Sequence, residues 1–127
     1  MYPCVDADRQ TESLRLFGQD LYLTAESIAT FNDIYLPTAA DRSDERVNLL
    51  DVESPPGLAP AYLVTAGFDP LRDEGEAYAR RLADAGVEVE MRRFVDQIHG
   101  FLNIVGAGRT SRAAVLEIAG RLRTALR

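Results

Sequence analysis

At 127 residues and 46% apolar composition, the chain is long enough for one ordinary domain and too short for two. A net charge of −6, with basic residues scattered along the sequence, argues against nucleic acid and anionic membrane surfaces as partners. Apolar runs such as Ala61 to Ala66 fall far below the ~20 residues of a membrane-spanning helix. Cys4 is the one cysteine, so no internal disulfide can form. Met1-Tyr2-Pro3-Cys4-Val5-Asp6 has neither the basic nor the apolar part of an export signal, and a reducing cytoplasm is the expected location. Nothing beside Cys4 would activate it as a nucleophile, and it reads as a small buried or terminal thiol.

Residues 1–22 carry little periodicity, except that Tyr2-Pro3 reads as the frayed end of a strand, because proline cannot donate to a ladder. From Thr24 the pattern is helical. Thr24 fits an N-cap, Ile28, Phe31 and Tyr35 recur at helical spacing, and Pro37 stops the run. Residues 37–60 are polar and hold four prolines (Pro37, Pro55, Pro56, Pro60), the mark of a surface connection with about one turn of structure.

Ala61 to Ala66 is almost wholly apolar, as in a strand covered on both faces. Asp73 and Glu76 are spaced as the N-cap and N3 residues of a capping box. The helix they open is expected to turn Ala77, Leu82 and Ala85 inward, with Tyr78 partly so, and to end at Gly86. Val87 to Arg92 alternates strictly and predicts a strand with one wetter face. A last helix over Ser111 to Leu126 carries Ala114, Val115, Ile118, Ala119, Leu122, Ala125 and Leu126 as a continuous apolar stripe.

Strand, helix, strand, helix at these lengths is a βαβ unit with a covering helix, so the fold class is α/β with parallel strands and a right-handed crossover. Functional groups in such sheets gather beyond the carboxyl ends of the strands. Asp69 follows the first strand and His99, the only histidine, follows the second. An acid orienting an imidazole is two thirds of a hydrolase triad. Each residue also has a structural reading: a lone histidine is often merely exposed, and Asp69-Pro70 suits an N-cap followed by N1. Asp73 as the cap would leave Asp69 for the imidazole. Ile98, Phe101 and Leu102 would wall the ring, and Gly100 permits a tight turn beside it. Spacing alone leaves both readings open. No nucleophile is visible, because none of Ser13, Ser27, Ser43, Ser54 and Ser111 stands on a Gly-x-Ser-x-Gly turn.

Longer phrases add to this. Thr65-Ala66-Gly67-Phe68-Asp69-Pro70-Leu71-Arg72-Asp73-Glu74-Gly75, then Tyr78-Ala79, Leu82, Ala85-Gly86-Val87 and His99-Gly100-Phe101, occur in one order with matching gaps. Over about Leu58 to Leu102 the sequence resembles the C-terminal part of the hormone-sensitive-lipase-like carboxylesterases, a family of α/β-hydrolases. Tyr2-Pro3 and Leu23 to Leu36 resemble the family's sixth strand and the helix beyond it more loosely. The resemblance implies that Asp69 and His99 complete a catalytic triad, with no metal and no cofactor. It also marks departures. Asn48-Leu49-Leu50 stands where members usually carry Ser-Pro-Leu. The family's His-Gly-Gly oxyanion motif and Gly-Asp-Ser-Ala-Gly nucleophile elbow precede the matching stretch.

The sequence is therefore expected to be one partial hydrolase domain. Residues 1–60 would form a helix and an irregular connection, and residues 61–127 the βαβα unit. Such a chain would act on a small ester only with a front half supplied, and would be inactive alone. Three accounts fit: a truncated or decayed hydrolase, half of a split enzyme completed by another chain, or a non-catalytic binding module. An apolar strand without its sheet neighbours also predicts self-association or marginal stability.

Overall fold

The computed structural model describes residues 1–8, 10–106 and 108–126. In chain order its elements are α1 (Glu12–Phe17), α2 (Ala25–Tyr35), α3 (Ala39–Arg42), β1 (Ala61–Phe68), α4 (Arg72–Asp84), β2 (Val89–Ile98) and α5 (Ser111–Ala125). Among the described residues the sheet has two strands, β1 and β2, and they run parallel.

Period-2 alternation decides what each face of β1 meets. Val64 and Ala66 turn to one side, where they join Phe94, Phe101 and Ala114 of α5, with Tyr62 and Ile118 packed around them. Leu63 turns to the other side, where it meets Ala79 and Leu82 of α4 and Val87, flanked by Ala61. Cover on both faces is what the apolar run predicts. Each fully buried large side chain there contributes about 1.5–3 kcal/mol.

Helix α4 begins at Arg72, two residues before its expected start, and its N-cap position, Leu71, offers no side-chain bond. Asp73 is not the cap. Its Oδ2 accepts instead from the Ser13 backbone amide at 2.8 Å, and its own amide donates to Ser13 Oγ at 3.1 Å. The inward face also differs from expectation: Ala79 and Leu82 are buried, Ala77 only half so, and Ala85 is exposed. Glu74 and Glu76 are buried instead, each with polar partners that no periodicity rule anticipates. The C-terminus follows expectation. Gly86 N donates to Ala83 O at 2.9 Å and Val87 N to Leu82 O at 3.0 Å, a Schellman motif.

That motif moves the second strand. Val87 packs on Leu82 as the hydrophobic partner of the helix end, so pairing starts at Ala61↔Val89, two residues later than the alternation suggests. The strand then runs six residues past Arg92, to Ile98. Its register shifts once: Ala66 faces Phe94, yet Phe68 faces Ile98, so Gly67 alone stands opposite Val95, Asp96 and Gln97. A Cβ on Gly67 would collide with the Val95 backbone, and only glycine lets the strands close over this bulge.

Residues 1–60 hold α1, α2 and α3. Tyr2 N donates to Val64 O at 2.6 Å, so the segment identified as a strand end does run beside β1. Thr24 caps α2 by accepting from Ser27 N at 3.1 Å. Its apolar side chains Phe31, Ile34 and Tyr35 are exposed, and β1 is covered by α4 and α5. The α5 stripe is partly covered: Ala114 is buried and Ile118 packs on the core, while Leu122 and Leu126 are exposed. Among the described residues no helix is long and apolar enough to cross a membrane.

Candidate active site

Because Phe68 pairs with Ile98, the next residue on each strand, Asp69 and His99, emerges at the same edge of the sheet. Asp69 Oδ2 lies 2.9 Å from His99 Nδ1. The carboxylate is fully buried and the imidazole about one fifth exposed. Asp69 serves two partners at once. Its Oδ1 accepts from Leu71 N at 2.8 Å, which closes the Asp-Pro turn into α4 and sets the plane of the carboxylate. Asp69 does not cap α4; one oxygen closes the turn before the helix and the other meets the imidazole.

The imidazole is held by shape. Gly100 has φ +75°, a region that side chains disfavour, and a Cβ there would press on the Tyr22 ring. The turn turns Phe101 inward, where it is buried against Phe94 at a centroid distance of 5.4 Å. The Tyr2 ring lies 4.6 Å from the His99 ring and 5.9 Å from Phe101. Burial, with the Asp69 charge and Tyr22 adding to it, pushes the Tyr2 hydroxyl above its ordinary pKa. Sequence placed Tyr2 at a strand end without a role. Aromatic residues beside a terminal proline carry no signal that would have linked it to His99.

The end of β2, just before His99, is tied to the start of α5. Gln97 Nε2 donates to Thr110 Oγ1 at 2.6 Å, and Ser111 Oγ donates to Gln97 Oε1 at 2.8 Å. A cavity of about 600 Å³ opens from His99 and Tyr2, with apolar walls from Leu23, Ile28, Phe31 and Leu71. Such a space suits the apolar part of a small molecule.

Cys4 borders the same cavity, but its thiol is pushed up to about 11, first by desolvation and then by the Glu74 carboxylate. The residue is exposed while its sulfur is poorly solvated, and a thiol so raised is a poor nucleophile at neutral pH. The serines are engaged elsewhere. Ser13 bonds Pro70 O, Ser27 bonds Thr24, Ser43 bonds the end of α3, Ser111 bonds Gln97, and Ser54 borders the outer side of α4. Among the described residues no group of three or more His, Cys, Asp or Glu side chains is placed to hold a metal ion.

A family model for the alpha/beta hydrolase fold matches residues 1–103. The chain belongs to this family. Within it the likeness is to the hormone-sensitive-lipase-like carboxylesterases and lipases. The carboxylic ester hydrolase LipN of Mycobacterium tuberculosis is 44% identical over 99% of the chain and 34% of its own length. Ethyl acetate hydrolase of Pseudomonas putida is 35% identical over 82% of the chain and 33% of its own length. Among solved structures, an esterase of Pyrobaculum calidifontis superposes with a TM-score of 0.90 at 32% identity, over 98% of this chain and 41% of that one. The chain thus spans about a third of the length of the curated relatives it matches.

Proposed function

We propose that this α/β-hydrolase chain supplies the acid and the base of a serine carboxylic ester hydrolase, as one partial domain. The observation that carries this reading is the 2.9 Å contact between a fully buried carboxylate and the only imidazole, at the carboxyl edge of a parallel sheet. Asp69 would hold His99 with its proton on Nδ1, leaving Nε2 to act. As a serine oxygen bonds to the ester carbonyl carbon, Nε2 takes the serine proton. Asp69 then stabilises the imidazolium, which returns that proton to the departing alcohol. Water repeats the sequence on the acyl-enzyme and releases the acid. The apolar cavity beside His99 favours a small ester with an apolar portion.

No serine of this chain is placed against His99, so we expect the 127 residues alone not to hydrolyse short-chain p-nitrophenyl esters above background. Joined to the remaining two thirds of the mycobacterial relative, the chain should turn them over. His99→Ala in that chimera should lower kcat on the order of 10⁶-fold, and Asp69→Asn about 10⁴-fold. Hydrolysis by the chimera that survives His99→Ala would overturn the assignment.

A second reading, association with a complementing polypeptide or with another copy, is favoured by the exposed apolar side chains of α2 (Phe31, Ile34, Tyr35) and α5 (Leu116, Leu122, Leu126).

A further inference from the structure

We infer that Ser13 is a positioning residue for the acid–base pair, acting through the turn that sets the Asp69 carboxylate; this rests on the proposed role of Asp69 and His99. Helix α1 is six residues long, too short to persist on propensity alone. Ser13 is nonetheless fully buried, with every polar capacity of its side chain used. Its hydroxyl donates to Pro70 O at 2.9 Å and accepts from Asp73 N at 3.1 Å. With the donor committed to Pro70, the 3.2 Å contact to Thr11 Oγ1 fills the second lone pair. Its backbone amide adds a fourth bond, to Asp73 Oδ2 at 2.8 Å.

These bonds bracket Leu71. One reaches the carbonyl of Pro70 and two reach Asp73, so the residues before and after Leu71 are pinned from outside the turn. The Leu71 amide is the group that holds Asp69 Oδ1. A carboxylate fixed through one oxygen presents the other in a fixed direction, and here that oxygen meets His99 Nδ1. Helix α4 makes no side-chain cap of its own, so Ser13 also satisfies a first-turn amide that would otherwise be orphaned. Without the bracket the turn can rock, Oδ1 loosens, and the imidazole loses its directional partner. Nothing in local spacing reveals this, because Ser13 lies 57 and 60 residues from its partners.

The chain has a single histidine, so its imidazole ¹⁵N spectrum reads one residue. In the wild-type chain the neutral ring should carry its proton on Nδ1. In Ser13→Ala that tautomer should be at least halved in favour of Nε2–H, while Leu82→Ala, which opens the core on the far face of the sheet, leaves the tautomer unchanged. Ser13→Cys keeps a small side chain with a weak donor, and should fall between; it carries the test should the alanine variant not fold. In the chimera, kcat should fall roughly ten- to a hundredfold for Ser13→Ala at unchanged KM. A folded Ser13→Ala or Ser13→Cys chain with the wild-type tautomer and kcat overturns the inference. A wild-type ring protonated on Nε2 would instead defeat the reading of Asp69 and His99 itself.

Discussion

The two strands of the sheet share hydrogen bonds and differ in nearly everything else. From Leu63 to Gly67, β1 is buried, and its neighbours are the apolar side chains of α4 and α5. Strand β2 is mostly exposed and reaches the same helices through charge. Arg92 pairs with Glu117 of α5, Arg93 with Glu76 of α4, and Glu90 with Arg121 of α5. Charged side chains along an edge discourage pairing with other chains. Asp69 therefore stands at the end of a strand locked by packing, and His99 at the end of one held by turn geometry and ring contacts. In the proposed roles the carboxylate would stay fixed while the imidazole passes a proton between two partners, and the two environments would suit those roles.

The largest effect should come from a carboxyl buried under the N-terminal segment. Glu74 of α4, buried against the segment around Val5, accepts from Val5 N at 2.9 Å. Burial raises its pKa from 4.5 to about 7, with the Asp6 charge adding to the rise. A carboxyl that holds its proton more tightly when folded destabilises the fold as pH climbs from 4.5 to about 7. That difference is worth on the order of 3 kcal/mol, and it is fully felt above the folded pKa. Glu74→Gln should therefore be the more stable protein at pH 8 and should lose that advantage near pH 4. Denaturant midpoints measured across this range would check it, and parallel curves for the two proteins would refute the buried-proton account.

The comparison sharpens with one residue type on two strands. Val64 of β1 is wholly buried, and Val64→Ala should cost about 2 kcal/mol through lost burial and the cavity left behind. Val95 of β2 is 69% exposed, and Val95→Ala should stay within about 0.5 kcal/mol. Equal losses in thermal melts would erase the distinction between the strands.

The ion pairs of β2 differ by less than the two valines do. Arg93→Ala leaves the buried Glu76 carboxylate with only the Thr65 hydroxyl, and should cost about 1–2 kcal/mol. Arg92→Ala breaks a pair that is exposed on both sides and should cost about 0.5 kcal/mol, less at high salt. A reversed order would mean that β2 relies on its solvent-facing charges more than on its buried one.

How much of this the sequence disclosed depends on the range of each interaction. Strand β1, the end of α4 at Gly86 and the cap at Thr24 were legible because apolar runs, Schellman glycines and threonine caps act within a few residues. The contact between Asp69 and His99 was legible for a topological reason: two parallel strands deliver whatever follows them to one edge. The part of β2 after Arg92 was hidden, because two arginines and a bulge break the alternation that marks a strand. The bracket around Ser13 was hidden because its partners are distant in sequence. Glu76 read only as the N3 member of a capping box and Glu74 carried no signal, and only the folded chain shows them buried.

The bulge opposite Gly67 works as a measure of length. At ~3.3 Å per residue, the two extra residues in β2 take up about 7 Å of chain that would otherwise carry the imidazole past the carboxylate. Their number matters in a second way, since side chains alternate between faces and an odd count would send His99 to the other side of the sheet. Substitution at Val95, whose side chain faces solvent, is therefore a mild change, while inserting or deleting a single residue there is a severe one. At Val95, spelling is free and counting is not.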